Sequence, residues 1–404
     1  MSVFYLIFIL MAVYFSYRYD GIEEYNSHKQ HRLWLMCAYL ICLAGFSYGL
    51  GGDKFTYMYE FESYPDNFSE SENEVWLQVM MKGQMPLWTL LNIFCKAFFN
   101  TFYAVQFIQS AFINIAVCYL VSKYTHRYFI FLLLYFFTLQ YFVLNTEVMR
   151  EGFAMSFILI GMHGYMSGKK WLFFIMLPFG LLFHVSAAVA LLFPFVSFRI
   201  SWKTLAIAFF VAFCIWLFSD LVLGKIMVAV LGGMGAMVEK VLYYSSQAST
   251  IFGFLRNSIT YLILPFIIMY YSTSMEQSED LKKCKEKMMS FMIVLAILAS
   301  SLAGFTRVYN YTKIFYLMMF ADFLYLLFSI KKHFIIRTAT LICTILLLIS
   351  NYLIYYKTTN TYYWQFFYPY SCILYEDEDV YIREAAHVEA TTDEQTDDNV
   401  REIR

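Results

Sequence analysis

The chain has 404 residues, 60% of them hydrophobic and only 15% charged, with a formal net charge of −1 and a mean hydropathy of +0.56. A soluble domain carries about 25% charged residues, so the composition excludes a soluble globular protein and predicts an all-α polytopic membrane protein. The apolar runs do not alternate in hydrophobicity, which excludes a transmembrane β-barrel. The eight cysteines are scattered without CxxC or metal-ligand spacing, which argues against a disulfide framework or a zinc site. No metal, cofactor or nucleic-acid partner is expected.

Apolar runs fall near residues 3–17, 33–50, 103–122, 128–144, 152–167, 171–183, 186–198, 204–219, 257–271, 289–304, 313–330 and 338–354. A spanning helix needs about 20 residues, and these runs predict about twelve spans. Met1–Tyr17 lacks a basic leader and a small-residue cleavage site, so it reads as a retained first helix. Val75–Phe99 carries Lys82, Gln84, Pro86, Asn92 and Lys96 and reads as an interfacial helix. Residues 1–375 are thus expected to form one transmembrane domain with outer loops at 51–84 and 220–256. The loop Asp220–Arg256 is apolar and contains Gly232-Gly-Met-Gly235, which suits a segment lying on or re-entering the membrane. Residues 376–404 form an acidic tail; its Glu376-Asp-Glu-Asp379 reads as solvated, disordered chain rather than a metal site.

Charge sets the orientation. Alternate connections collect Arg18, Lys29 and Arg32; Lys123 and Arg127; Lys169 and Lys170; Arg199 and Lys203; Lys282, Lys283, Lys285 and Lys287; and Lys331, Lys332 and Arg337. By the positive-inside rule that side is cytoplasmic. Both termini and the longer connections then face outward. Residues 51–84 carry Asp53, Glu60, Glu62, Asp66, Glu70, Glu72 and Glu74 against Lys54 and Lys82, which supports this parity.

Four outward features carry chemistry. Gly49-Leu-Gly-Gly-Asp-Lys-Phe-Thr-Tyr-Met-Tyr59 offers a flexible backbone, with Asp53 and, four residues on, Tyr57; glycines followed by Asp equally make a plain turn. Asn145-Thr-Glu-Val-Met-Arg-Glu-Gly152 follows; in a helix, Glu147, Arg150 and Glu151 would share one face. This is either an anion-binding cluster or a helix-end ion pair. His184, in Leu181-Leu-Phe-His-Val-Ser-Ala187, sits inside an apolar run too long for one span and short for two. It is either a packed histidine at a helix break or a general base, since an imidazole titrates at about pH 6.5. The fourth feature is Arg307, with Asn310 and Tyr311 on the same helical face, and Arg256 enters its span on the same side. Arginine's planar fork matches phosphate, so outer arginines suit a ligand with a diphosphate and a lipid tail.

Taken in order, these pieces resemble the EpsG family of exopolysaccharide polymerases, relatives of the Wzy O-antigen polymerases. The resemblance rests on Gly51–Tyr57, Met85-Pro-Leu-Trp-Thr-Leu-Leu-Asn92, Met149-Arg150, Phe183-His-Val-Ser-Ala187, Arg307-Val-Tyr-Asn-Tyr311 and Pro369-Tyr-Ser-Cys-Ile373. It runs from about residue 1 to 375. The family usually has Gln after the central arginine, where this chain has Glu151.

The resemblance implies a fold like the multi-span lipid-linked glycosyltransferases. It implies an enzyme that joins polyprenyl-diphosphate-linked oligosaccharide repeat units at the outer face of the bacterial plasma membrane. Arg150, Arg307 and Arg256, with Tyr57 and Tyr311, would bind diphosphate and sugar, and His184, Asp53 or Glu151 would take the acceptor's proton. Partners implied are membrane lipids, the lipid-linked sugars, a chain-length regulator and a flippase.

Three other classes compete. A glycan ligase shares the chemistry. A flippase would place charges near the midplane of several helices and show internal repeats, and neither is evident. A membrane O-acyltransferase has no use for several outer arginines. The orientation is testable by cysteine labelling of intact cells in a cysteine-free background. Cysteines at Asp53, Arg150, His184 and Arg307 are expected to label from outside; external labelling in Lys282–Lys287 would overturn the topology.

Overall fold

The structure is a computed structural model that describes residues 3–66, 85–219, 250–302, 305–329, 338, 352, 355–356, 361–374, 380 and 383–385. The expected span 338–354 (bar two residues), loop residues 67–84 and 220–249, the last inner basic cluster (Lys331, Lys332, Arg337) and the quartet Glu376–Asp379 lie outside the described residues. Two compact units make up the chain: Met1–Ile160 with Pro178–Val185 and Leu326–Arg404, and Gly161–Leu177 with Ser186–Tyr325.

The first unit contains α1 (Val3–Tyr19), α2 (Ser27–Gly45), α3 (Asp53–Glu62), α4 (Pro86–Phe99), α5 (Phe102–Tyr124) and α6 (Tyr128–Phe137). Then come the short α7 (Gln140–Phe142), which runs into a π turn over Val143–Glu147, and most of α8 (Met149–Met166). The second unit takes up the end of α8 and holds most of α9 (Lys170–Phe183), a 3-10 helix over Val185–Leu192, and α10 (Trp202–Leu217). It continues with α11 (Ile251–Ser274), α12 (Glu279–Ser301), a 3-10 turn over Phe305–Tyr309, and most of α13 (Asn310–Ser329). Tyr355–Tyr356 and Thr361–Tyr362 form a two-residue antiparallel pair.

Short polar side chains set the helix starts, as N-cap chemistry requires. The side chain of Asn26 accepts from Lys29 N at α2, Thr101 caps α5, Ser201 caps α10 and Ser278 caps α12. Among the described residues, three helices are long and apolar enough to cross a membrane: Phe102–Tyr124, Ile251–Ser274 and Phe305–Phe328. The bent pair Tyr128–Phe137 and Gln140–Glu147 makes a fourth if counted as one span.

Two predicted spans depart from plain helices. The run 128–144 bends by 78° where Leu139 takes the left-handed conformation (φ 60°). The run 186–198 is α-helical nowhere: it is a 3-10 helix of eight residues, about 16 Å long at 2.0 Å per residue. Beyond it the chain turns over residues 193–195 and then runs without regular structure, and Lys287 Nζ donates to the carbonyls of Pro194 (3.1 Å) and Val196 (2.7 Å). The basic run Lys282–Lys287 is likewise not a loop but the first turns of α12, where Lys285 is buried between Glu276 and Asp322 at 2.8 Å each.

In the first unit, broken backbone is stabilised by one face of α5. Gln106, Gln109, Ser110 and Asn114 are all buried and lie at helical spacing along it. Gln106 Nε2 donates to the carbonyls of Ala44 (2.7 Å), Gly45 (2.9 Å) and Ser47 (2.9 Å), where α2 ends. Gln109 Nε2 donates to Leu144 O (2.8 Å) in the π turn, and Asn114 Nδ2 donates to Asn145 Oδ1 (2.9 Å).

On the side read as cytoplasmic, the Asp20 carboxylate accepts from Phe129 N (3.2 Å) and Ile130 N (2.9 Å) at the start of α6. Lys29 Nζ bonds Ile22 O and His126 O, and Arg127 bonds Asp20 O and Glu23. Gln106→Leu removes the amide donor from all three carbonyls; Ala44 O still accepts from the Ser47 hydroxyl and Ser47 O from Lys54 Nζ, so Gly45 O bears the loss, and an orphaned buried group costs about 1–3 kcal/mol. The variant is expected to melt several degrees lower in detergent; an unchanged melting temperature would show that the carbonyls find other donors.

Candidate functional site

The loop after α2 sits between two other parts of the first unit. Gly49 and Gly51 hold positive φ (53° and 84°), a region that favours glycine. A Cβ on Gly51 would lie 2.6 Å from Thr146 Oγ1 and 3.0 Å from Glu147 Oε1, so this glycine lets the loop close on the π turn. The late aromatic segment pairs along the loop's other edge. Tyr48 N donates to Ser371 O (3.0 Å), Gly51 N to Phe366 O (2.8 Å), and Ile373 N to Phe46 O (3.0 Å). Tyr5 and Tyr370 anchor that segment, donating to Phe367 O and Leu43 O.

The expectation of a disordered tail does not hold at its near end. Val380 is buried against Gly49, and Arg383, also buried, donates from Nε to Gly49 O at 2.8 Å. Lys54 is fully buried under the loop and donates to Ser47 O (2.9 Å) and Ser47 Oγ (2.8 Å). Burial, and then the charge of Arg383, pull its pKa well below the ordinary lysine range.

Glu147 joins the loop to the arginine segment. Helix α3 has no side-chain cap of its own at Gly52. Glu147 supplies one from elsewhere in the chain, with Oε1 accepting from Gly52 N (2.7 Å) and Oε2 from Asp53 N (3.3 Å). The π turn ends at Glu147, Val148 breaks the helix, and α8 begins at Met149. Glu147 and Arg150 therefore belong to different helices, which corrects the expected shared face. Glu151 lies buried in the first turn of α8.

Arg150 lies over the ring of Tyr57, with its guanidinium carbon 5.2 Å from the ring centroid. The Tyr57 hydroxyl donates to the Glu147 carbonyl (3.3 Å), and Trp88 meets the Tyr57 ring edge-on at 5.5 Å. Burial pushes the Tyr57 pKa well above its ordinary range, with Arg150 opposing, so the hydroxyl remains a donor. Asp53, Tyr57 and Arg150 thus sit together, with Glu60 adding negative charge near both Arg150 and Tyr57.

His184 sits at the predicted helix break, between α9 and the 3-10 helix, half-buried with its N–H donating to Gly180 O (2.9 Å). The end of α9 runs antiparallel along the start of α8. Phe183 stacks on Phe153 (4.3 Å), and Gly180 closes on Ile158. His184 and Arg150 are therefore at the same end of this helix pair.

In the second unit, Ser186 Oγ and the buried Tyr311 hydroxyl are hydrogen-bonded at 2.9 Å. Arg307 is exposed on the 3-10 turn, and Asn310 and Tyr311 open the following α-helix, so Arg307 and Tyr311 do not share one helical face. Arg256 is exposed near the start of α11 and reaches Asn257 Oδ1 at 3.4 Å.

The sequence grouped Glu147 with Arg150 and Glu151 but gave no sign that Glu147 caps α3, because a π turn leaves no mark in the hydrophobic periodicity. Trp88 was visible only as part of a motif.

The first unit thus defines a helical membrane protein with an arginine, a tyrosine and a carboxylate gathered at a glycine-rich helix start. Residues 32–372 match the EpsG family, and the chain belongs to it. That family is associated with exopolysaccharide polymerisation, which makes the chain an enzyme of polysaccharide biosynthesis in the coarse sense. No curated protein and no solved structure matches the chain.

Proposed function

We propose that this protein is a glycosyltransferase that polymerises polyprenyl-diphosphate-linked oligosaccharide repeat units at the outer face of the bacterial plasma membrane, within a twelve-span architecture like that of multi-span lipid-linked glycosyltransferases. The observation that carries the reading is Arg150 held against Tyr57 beside Gly51–Asp53 in a chain of the EpsG family. In the reaction, an acceptor sugar hydroxyl bonds to the donor's anomeric carbon, and the bond from that carbon to phosphate oxygen breaks. Negative charge grows on the departing polyprenyl diphosphate, and a fixed guanidinium stabilises it without reorganising. The acceptor's proton passes to a base, for which His184 is first choice, Asp53 second and Glu151 third. Arg256 and Arg307 are proposed as further anion contacts, each tested by itself.

The test is elongation of a lipid-linked repeat unit by purified protein in bilayers. Arg150→Ala and Arg307→Ala are each expected to lose about 10²–10³-fold in rate, the cost of removing one preorganised donor. Lys should rescue poorly because it lacks the planar fork. Near-normal chain length in either Arg→Lys variant, or activity abolished by a chelator, would overturn this assignment. Translocation without elongation would favour a flippase, and transfer to a different acceptor a ligase.

His184 is tested separately. As the base it contributes about 10²–10⁴-fold, so His184→Ala should lose that much, and wild-type activity should fall as pH drops and the imidazole gains its proton. Active His184→Asn and His184→Gln variants would assign it to packing at the helix break and pass the role to Asp53.

A further inference from the structure

We propose that Glu147 is a positioning residue: its carboxylate clamps the start of α3 and so fixes Tyr57, and through Tyr57 the guanidinium of Arg150, in the pose that receives the diphosphate. The proposal rests on the reading of Arg150 as a diphosphate ligand. Three contacts carry it. Both carboxylate oxygens of Glu147 accept from consecutive backbone amides, Gly52 N at 2.7 Å and Asp53 N at 3.3 Å. The same residue's carbonyl accepts from the Tyr57 hydroxyl at 3.3 Å. Arg150 lies 5.2 Å from the ring of that tyrosine.

Glu147 therefore holds α3 twice, at its start and one turn further along. Helix α3 has only ten residues and no side-chain cap of its own. A carboxylate at its first amides satisfies donors that would otherwise point at nothing, and it complements the positive end of the helix. Losing it frees the segment that carries both Asp53 and Tyr57. Beyond Glu147, Tyr57 is held by the edge of Trp88 and by its hydrogen bond with Arg150 itself, so loosening α3 would shift the ring and the guanidinium together. Glu147 is thus distinct from the candidate bases: its carboxylate is directed at backbone N–H groups of the protein itself.

The variants Glu147→Ala and Glu147→Gln separate this role from the alternatives. Gln keeps one oxygen for Gly52 N but sets an amide against Asp53 N, so it should fall between wild type and Ala. One readout is hydrogen exchange of the 49–58 segment in the full-length protein, without any ligand. The other is the affinity for farnesyl diphosphate in detergent, with Arg150→Ala as the reference. Faster exchange in the Ala variant, with binding weakened by up to about 100-fold, is the expected result; misplacement by about 1 Å costs that much. Gln should lie between, and the pH profile of elongation should keep its shape.

Unchanged exchange in both variants would overturn the clamp. Binding lost in Arg150→Ala but kept in Glu147→Ala would overturn the proposal alone. Binding kept in Arg150→Ala would overturn the reading of Arg150, and this proposal with it. Elongation lost equally in Gln and Ala, with the acid limb of the pH profile gone, would make Glu147 a proton acceptor instead.

Discussion

The polar face of α5 is the constraint on which the first unit depends. A backbone that leaves regular helix inside an apolar protein exposes carbonyls that neither lipid nor packed side chains can satisfy. The described residues of the first unit do so where α2 ends at Gly45 and where α6 breaks at Leu139 and resumes as a π turn. Both breaks lie against α5, and both are satisfied from it: Gln106 serves the first and Gln109 and Asn114 the second. Those two breaks deliver the glycine loop and the Glu147–Arg150 segment. The site is therefore fixed by amide side chains that are not part of it.

Residues from both ends of the sequence complete the loop. The aromatic segment 366–373 pairs with residues 46–51, Tyr5 holds that segment from α1, and Arg383 closes on Gly49. Each of these pieces is nearly unreadable alone. Pro369-Tyr-Ser-Cys-Ile373 is a weak motif until its carbonyls and amides are seen to edge the glycine loop. Gly49 and Gly51 suggest only a turn until Val380 and Thr146 are found occupying the space a Cβ would need.

What was legible in the sequence follows from the same physics. Composition gave an all-α membrane protein because burial in lipid leaves few alternatives. The break at His184 followed from length, since an apolar run of that size fits neither one span nor two. The clustering of Asp53, Tyr57 and Arg150 was not derivable from spacing, because nearly a hundred residues separate the loop from the arginine. The role of Glu147 at α3 was hidden at the π turn: its wider winding and the break at Val148 take Glu147 off the face that a regular helix would give it. The run 186–198 misled for a related reason, since apolarity measures burial and not helix type. Gln106, Gln109 and Asn114 looked like ordinary interruptions of an apolar helix, and their role needs the partner carbonyls to be visible.

The carboxylate assignment matters because it decides what Arg150 is left to do. A guanidinium withdrawn from water usually takes a carboxylate across its planar fork, and such a bidentate pair would occupy the donors a phosphate needs. Among the described residues no carboxylate lies within ion-pair distance of Arg150. Its support is the face of Tyr57, an interaction worth about 0.5–2 kcal/mol, together with the more distant charge of Glu60. The same guanidinium also hydrogen-bonds the Tyr57 side chain, so the tyrosine holds the cation by its ring and its hydroxyl together. The carboxylate of Glu147 is bonded to the amides of Gly52 and Asp53. The arrangement thus fixes a positive charge through an aromatic side chain, which suits the anion-receiving role proposed for Arg150.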